Sequence, residues 1–300
     1  MSISEAQLDT WAKPGNQVQS ANTYGTIKPI IENKDSPYSG RDISSYLQGS
    51  YGNDTNVFGL EADVDIVLQS GAVYYPDLHK LSPEQKALYE QGRSGASYSV
   101  EQFKVDVTGW LQKQFPGQVD PGAKAITIKG TENRRKADVL ACCDYYRFFT
   151  FFGFGDPRTR IEKGVCFKLP DGKLIGNFPK QHRENCITKQ AETKNYFKPM
   201  VRIVKNMRNR MKAAGVIGDG IAPSYYLEGL LWNVPNHLYG HSYERTFLQF
   251  YHWTKNAQKD QLVCANQQAW LLRKNEATSW DPDKFATFFQ ALGDYWDAGV

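Results

Sequence analysis

The sequence predicts an α+β protein, a mixed α/β first part joined near residue 190 to an all-helical second part. Three observations carry that prediction. Short β-branched runs bounded by turn residues, clearest in ADVDIVLQ (62–69), read as strands in the first part. From Asn195 onward, apolar residues recur at helical spacing in successive segments. The 300 residues, 41% hydrophobic and 13% aromatic, suffice to bury one large core or two lobes sharing a cleft.

In chain order, residues 3–33 read as a helix broken near Pro14 and Gly15, with apolar spacing through Ile27, Ile30 and Ile31. KDSPYSGRD follows as a loop. ISSYLQGS reads as a short strand entering a Gly49-Ser50 turn, and residues 62–69 as the next strand. The polar stretch from Gly71 to Ser99, punctuated by Gly and Pro, reads as an insertion with one short helix. Val100, Phe103, Val107, Trp110 and Leu111 predict a helix over 100–115. AITIKG (125–130) and KADVLACCDYYRFF (136–149) read as strands flanking a turn. GVCFKLPDGKLIGNF (164–178) reads as a hairpin turning at Pro170-Asp171-Gly172. In the second part, KPMVRIVKNMRNRMKAAG has Pro199 near its start and Gly215 as its stop. Further helices are predicted at PSYYLEGLLWNV, SYERTFLQFYHWTKNA and PDKFATFFQALGDYWDA.

A net charge of +4 is too small for a DNA-coating protein, yet it suits a cleft that receives a polyanion. The N-terminal residues lack a basic-then-apolar segment, and no apolar run approaches membrane-spanning length, so a cytoplasmic protein without signal peptide or membrane span is expected. The cysteines are odd in number and none form a C-x-x-C pair, which predicts reduced thiols and neither a zinc site nor a disulfide framework.

Asp63 and Asp65 are the chemically informative residues. Side chains at i and i+2 of a strand share a face, and two carboxylates side by side repel and resist burial. A divalent cation between them removes that conflict, and hard oxygen ligands suit Mg²⁺. A two-metal site wants a third carboxylate from another strand. Asp138, embedded in the short apolar strand of RRKADVLA, is the expected third acid; Asp144 ranks behind it, and Asp106, in a predicted helix, behind both. Gly49 would let backbone N–H groups approach a phosphate, with the Ser50 hydroxyl as a further donor and the polar loop Gly52–Asn56 completing the cradle.

A G-S turn followed after a short interval by an apolar D-x-D resembles the polymerase-β-type nucleotidyltransferase superfamily. More narrowly, the chain looks like the bacterial CD-NTases, relatives of animal cyclic GMP-AMP synthase and oligoadenylate synthase that make cyclic oligonucleotide signals in anti-phage defence. The matching stretches are LQGSYGNDTNV…ADVDIVL, RRKADVLACC, NFPKQHRENCITKQAETKNYFKPMVRIVKNMRN and PSYYLEGLLWNVP, spanning residues 47–235. Two departures stand out: Ala62 where a serine often precedes the first acid, and no proline after the third-acid strand. Neither removes an acid.

The resemblance implies a nucleotidyltransferase palm with a mixed sheet over 1–190, a helical lobe over 191–300, an N-terminal helix bridging both, and an active site in the cleft between them. It implies that Asp63, Asp65 and Asp138 hold two Mg²⁺ ions, with Mn²⁺ as a substitute, and that Gly49 and Ser50 hold the donor triphosphate. Lys205 and Ser224 would meet the donor phosphates, and Tyr225 would stack on the donor base. The residues themselves also admit plainer roles. Arg202, Lys205 and Arg208 recur as a basic stripe that could be an ordinary solvated face; Ser224 could cap the helix beginning at Tyr225; Tyr225 could be core. His182 and Asn185, which recur in the family near the cleft, read as a capped loop; Arg134 and Arg135 could steer nucleotide entry but read first as a charged turn.

The implied reaction joins nucleoside triphosphates (ATP, GTP, UTP or CTP) into a cyclic di- or trinucleotide with release of pyrophosphate. Transfer to another acceptor, such as tRNA, a protein or an aminoglycoside, is one alternative, and a catalytically silent nucleotide or RNA sensor is another. Retention of all three acids argues against the sensor, and the modest charge argues against a long nucleic acid partner. A monomer is expected, working beside effector and accessory proteins encoded nearby, with the chain end DYWDAGV as a handle for a partner or simply a frayed terminus.

Overall fold

The computed structural model describes residues 3–15, 18–57 and 63–299; Ala62, the departure noted above, lies outside them. Along the chain come α1 (Glu5–Ala12), α2 (Val18–Ile31), β1 (Ile43–Leu47), α3 (Gly49–Gly52), β2 (Val64–Asp77), α4 (Pro83–Gly92), α5 (Val100–Gln114), β3 (Val119–Pro121), β4 (Ile126–Ile128) and β5 (Ala137–Thr150). Then follow β6 (Arg160–Lys168), β7 (Leu174–Asn177), α6 (Pro179–Glu192), α7 (Phe197–Ala213), α8 (Ser224–Asn233), α9 (Tyr243–Asn256) and α10 (Pro282–Ala298). The predicted α+β class holds. These elements form two compact units.

The sheet unit contains residues Gln19–Gln48 and Asp63–Pro179. Its strands run in the order β1-β2-β5-β4-β3, with β6 on β5 and β7 on β6. Only β2 and β5 are parallel; every other pair is antiparallel, so the sheet is mixed. The early residues of β5 pair with β4 and the later ones with β6, so one long strand serves two neighbours on the same edge. Alternation sorts the faces. Val64, Ile66 and Leu68 of β2, with Ala137, Val139 and Ala141 of β5, pack against Phe103, Val107 and Leu111 of α5. The opposite face carries Asp65 and Asp138, then Val67, Leu140 and Cys142 in a smaller cluster.

β2 extends beyond its predicted end. The supposed insertion starting at Gly71 begins instead with strand residues, because Tyr74 to Asp77 resume pairing with Asp144 to Arg147 after a bulge that absorbs the chain between Ser70 and Tyr74. The short helix predicted within that stretch is α4, opened by a Ser82 capping box with Pro83 in its first turn.

The helical unit comprises the described residues within 1–18, 49–62 and 180–300. Its core joins Met200 and Val204 of α7, Leu227 and Leu230 of α8, Phe247 of α9 and Phe288 of α10. The capped loop expected around His182 and Asn185 is instead helix α6, starting at Pro179. Its sequence, PKQHRENCITKQAE, has no apolar stripe to betray a helix, but Pro179 fits the first helical position. The basic stripe of α7 is likewise no solvated face. Arg202 is 8% and Lys205 1% exposed, since α7 is enclosed on nearly every side. All five cysteines are buried free thiols. Among the described residues no helix is long and apolar enough to cross a membrane.

Candidate active site

In the sheet unit, parallel pairing sets Asp65 directly beside Asp138, each the second residue of its strand. Neighbouring strands lie about 4.8 Å apart, so the two carboxylates stand side by side on one face. Asp63 comes two residues earlier, just before β2, and is tied to the same region through Lys136. Lys136 donates from Nζ to Asp63 Oδ2 at 2.6 Å and lies 3.9 Å from Asp138 Oδ2. Thr127 of β4 donates to Asp138 Oδ1 at 2.6 Å, orienting that carboxylate from the far side. The Asp63 hydrogen bond raises the Lys136 ammonium above its ordinary range; burial opposes, and the charges of Asp138, Asp63 and Asp65 add to the rise. The three acids thus act on one small region, and with side-chain exposures of 37% for Asp63 and 25% for Asp138 it is open to solutes.

The lower-ranked acids lie elsewhere. Asp144 is six residues along β5, roughly 20 Å away at a strand's rise, and accepts from Gln69 and Tyr146. Asp106 sits on α5, tied to Tyr98 and Gln102.

Gly49 and Ser50 belong to the helical unit. Gly49 has φ of 67°, a left-handed value that suits glycine, and it opens the single turn α3 rather than a plain turn. The segment closes on itself through Asn53 N–H to Gly49 O at 3.2 Å and Thr55 N–H to Ser50 O at 2.9 Å. It is then held from several sides. Arg183 Nε donates to Gly52 O at 3.0 Å, Lys198 pairs with Asp54 at 2.9 Å, and Arg202 Nη1 donates to Asp54 O at 2.5 Å.

The deepest tether is Glu228 on α8. Asn53 Nδ2 and His182 Nε2 donate to its Oε2 at 2.8 and 2.7 Å, while Lys205 Nζ at 2.7 Å and the Thr55 hydroxyl donate to its Oε1. Burial alone would raise the Glu228 carboxyl, but the Lys205 ammonium and the His182 hydrogen bond hold it well below the usual carboxylate range. Burial conversely lowers the Lys205 ammonium, and Glu228 offsets part of that.

The other residues singled out in the sequence have partners of their own. Lys205 directs its ammonium to Thr55 O, Thr55 Oγ1 and Glu228 Oε1, three acceptors for three N–H donors, and so braces the loop after Ser50. Ser224 is the first residue of α8, not its cap, and its hydroxyl accepts from Arg208 Nη1 at 3.2 Å. Tyr225 stacks on His182 with centroids 4.7 Å apart and accepts from Asn266 at 2.9 Å. Asn185 donates to Ala265 O at 2.7 Å. Arg134 is buried over the Phe115 ring and bonded to Gln118 and Lys129 O, a structural part of its turn.

The cGAS/DncV-like nucleotidyltransferase C-terminal helical domain matches residues 184–297. A cyclic dipurine nucleotide synthase of Elizabethkingia meningoseptica is 34% identical over 236 residues, 79% of this chain and 78% of the other. The chain belongs to the bacterial CD-NTase family. A cyclic nucleotide synthase of Staphylococcus haemolyticus is 30% identical to this CD-NTase over 99% of each chain. The solved Rhodothermus marinus CdnE c-UMP-AMP synthase, with Apcpp and Upnpp, matches with a TM-score of 0.85 and 29% identity, over 99% of this chain and 97% of that one.

As a CD-NTase the protein is a nucleotidyltransferase, a class that generally uses divalent metals. The carboxylate cluster of this CD-NTase fits such ions: its donors are hard oxygens, it is solvent-accessible, and it already draws a cationic side chain to itself. The buried trio His182, Cys186 and Glu228, whose ligand atoms lie within 4.8 Å of one another, does not fit, because the Lys205 ammonium is 2.7 Å from the carboxylate and both Glu228 oxygens are taken. Sequence reasoning passed over Lys136 and Glu228. Lys136 precedes Asp138 by two and so shares its face; Glu228 is a lone acid in an apolar helix, which by itself calls for a buried cation.

Proposed function

We propose that this CD-NTase joins two or three nucleoside triphosphates into a ring, releasing pyrophosphate, with Asp63, Asp65 and Asp138 as the catalytic acids. The direct Asp65–Asp138 pairing in the sheet, with Asp63 two residues before, is the observation that supports it most. These carboxylates would hold a pair of Mg²⁺ ions, which when bound supply charge stabilisation to the attacking and leaving oxygens of an in-line displacement. In this reading Asp138, whose carboxylate accepts from Thr127, also takes the proton of the attacking ribose hydroxyl.

Gly49 and Ser50 present the donor triphosphate, in a segment whose shape is enforced by Asn53 and Thr55 on Glu228. Ser224 and Tyr225 line the nucleotide side in this reading, Tyr225 offering a ring face already aligned by His182. The rest of catalysis is positioning and charge complementarity rather than covalent chemistry. The product acts, in the same reading, as a second messenger on a nearby-encoded effector in anti-phage defence.

The test is incubation of the purified protein with all four NTPs and Mg²⁺ alone, with products identified by mass spectrometry. A cyclic di- or trinucleotide without added acceptor is the expected result. Product only after addition of tRNA, protein or an aminoglycoside would replace this reading with transfer to that acceptor.

A further inference from the structure

We propose that Lys136 is a tethered cation that competes with divalent metal for the acidic cluster and thereby sets the free-metal concentration this enzyme needs. The inference rests on the metal role proposed for Asp63, Asp65 and Asp138. The Lys136 backbone is fixed, its carbonyl accepting from Val64 N–H at 3.0 Å, one step before the Asp65–Asp138 pair. From that anchor its ammonium reaches Asp63 Oδ2 at 2.6 Å and comes within 3.9 Å of Asp138 Oδ2. Its side chain is 46% exposed, so it can leave for water without opening the core.

Lys136 relieves the mutual repulsion of the acids when no metal is bound. A divalent ion needs the same oxygens, and a cation beside an ammonium at such range is repelled. Metal binding therefore has to displace the lysine, and whatever stabilises the lysine–carboxylate contact is subtracted from metal affinity. The sequence places this competitor two residues from one ligand, so it cannot diffuse away.

The experiment titrates Mn²⁺ alone, without nucleotide, into the wild type, K136M, K136R and a D63N/D65N double variant, reading free Mn²⁺ by electron paramagnetic resonance. K136M, which keeps the apolar stem and loses the charge, is expected to bind Mn²⁺ roughly threefold tighter or more, the scale of a part-exposed ion pair within a charge cluster. K136R should retain the weaker wild-type affinity. A K136M affinity equal to or below that of the wild type overturns the inference. The double variant separates the two ideas: if it loses Mn²⁺ binding while K136M matches the wild type, only the lysine's role falls. If the double variant binds as the wild type does, the metal reading of the acids falls as well.

Discussion

Glu228 keeps a carboxylate ionised where almost no water reaches it, 2% exposed, and the cost of that burial is met by four donors from three separate stretches of chain. Breaking a buried pair by deleting one partner leaves the other uncompensated. Glu228→Gln and Lys205→Met should therefore each destabilise the fold by about 3–5 kcal/mol, and the double variant by less than their sum, as urea unfolding would measure. Were Lys205 a direct phosphate ligand, Lys205→Met would instead raise the KM for NTP with stability untouched. Glu228 stood in the sequence as a lone charge within an apolar helical run, and Lys205 as one member of a basic stripe. Their pairing was not visible there, because the partners lie on different helices and nothing local links them.

At the scale of elements, the long strands carry more than their apolar pattern announces. β2 and β5 remain paired beyond the bulge to Asp77, whose carboxylate accepts from Arg147 Nε and Tyr145 OH, each at 2.8 Å. Burial would raise the Asp77 carboxyl, but His79, Arg147 and Tyr145 bring it down to about 2. A carboxyl lowered on folding contributes stability that is complete above its ordinary value near 4 and is lost as pH falls from there toward 2. Asp77→Asn should remove up to about 2 kcal/mol at neutral pH and flatten the acid limb of the stability curve over that window, measured by thermal melts from pH 7 to 2. An unchanged acid limb would show that the strand end holds without this contact. The periodic elements, α5 and α7 among them, were legible because an apolar stripe marks them. β3 was not, being three residues long, nor α6, which has polar residues around its whole circumference.

For the whole molecule, the family was readable from the G-S and D-x-D spacing with the third acid, and the fold followed from the family. Why the acids meet was less accessible. A parallel register between strands some seventy residues apart brings Asp65 to Asp138, and no spacing along the chain encodes that register. The most direct measurement uses radiolabelled NTPs and Mg²⁺ with wild type and D63A/D65A, the fold of each checked by circular dichroism. Cyclic product is expected from the wild type and none from a folded double variant; full turnover by that variant would show that these acids do not carry the reaction.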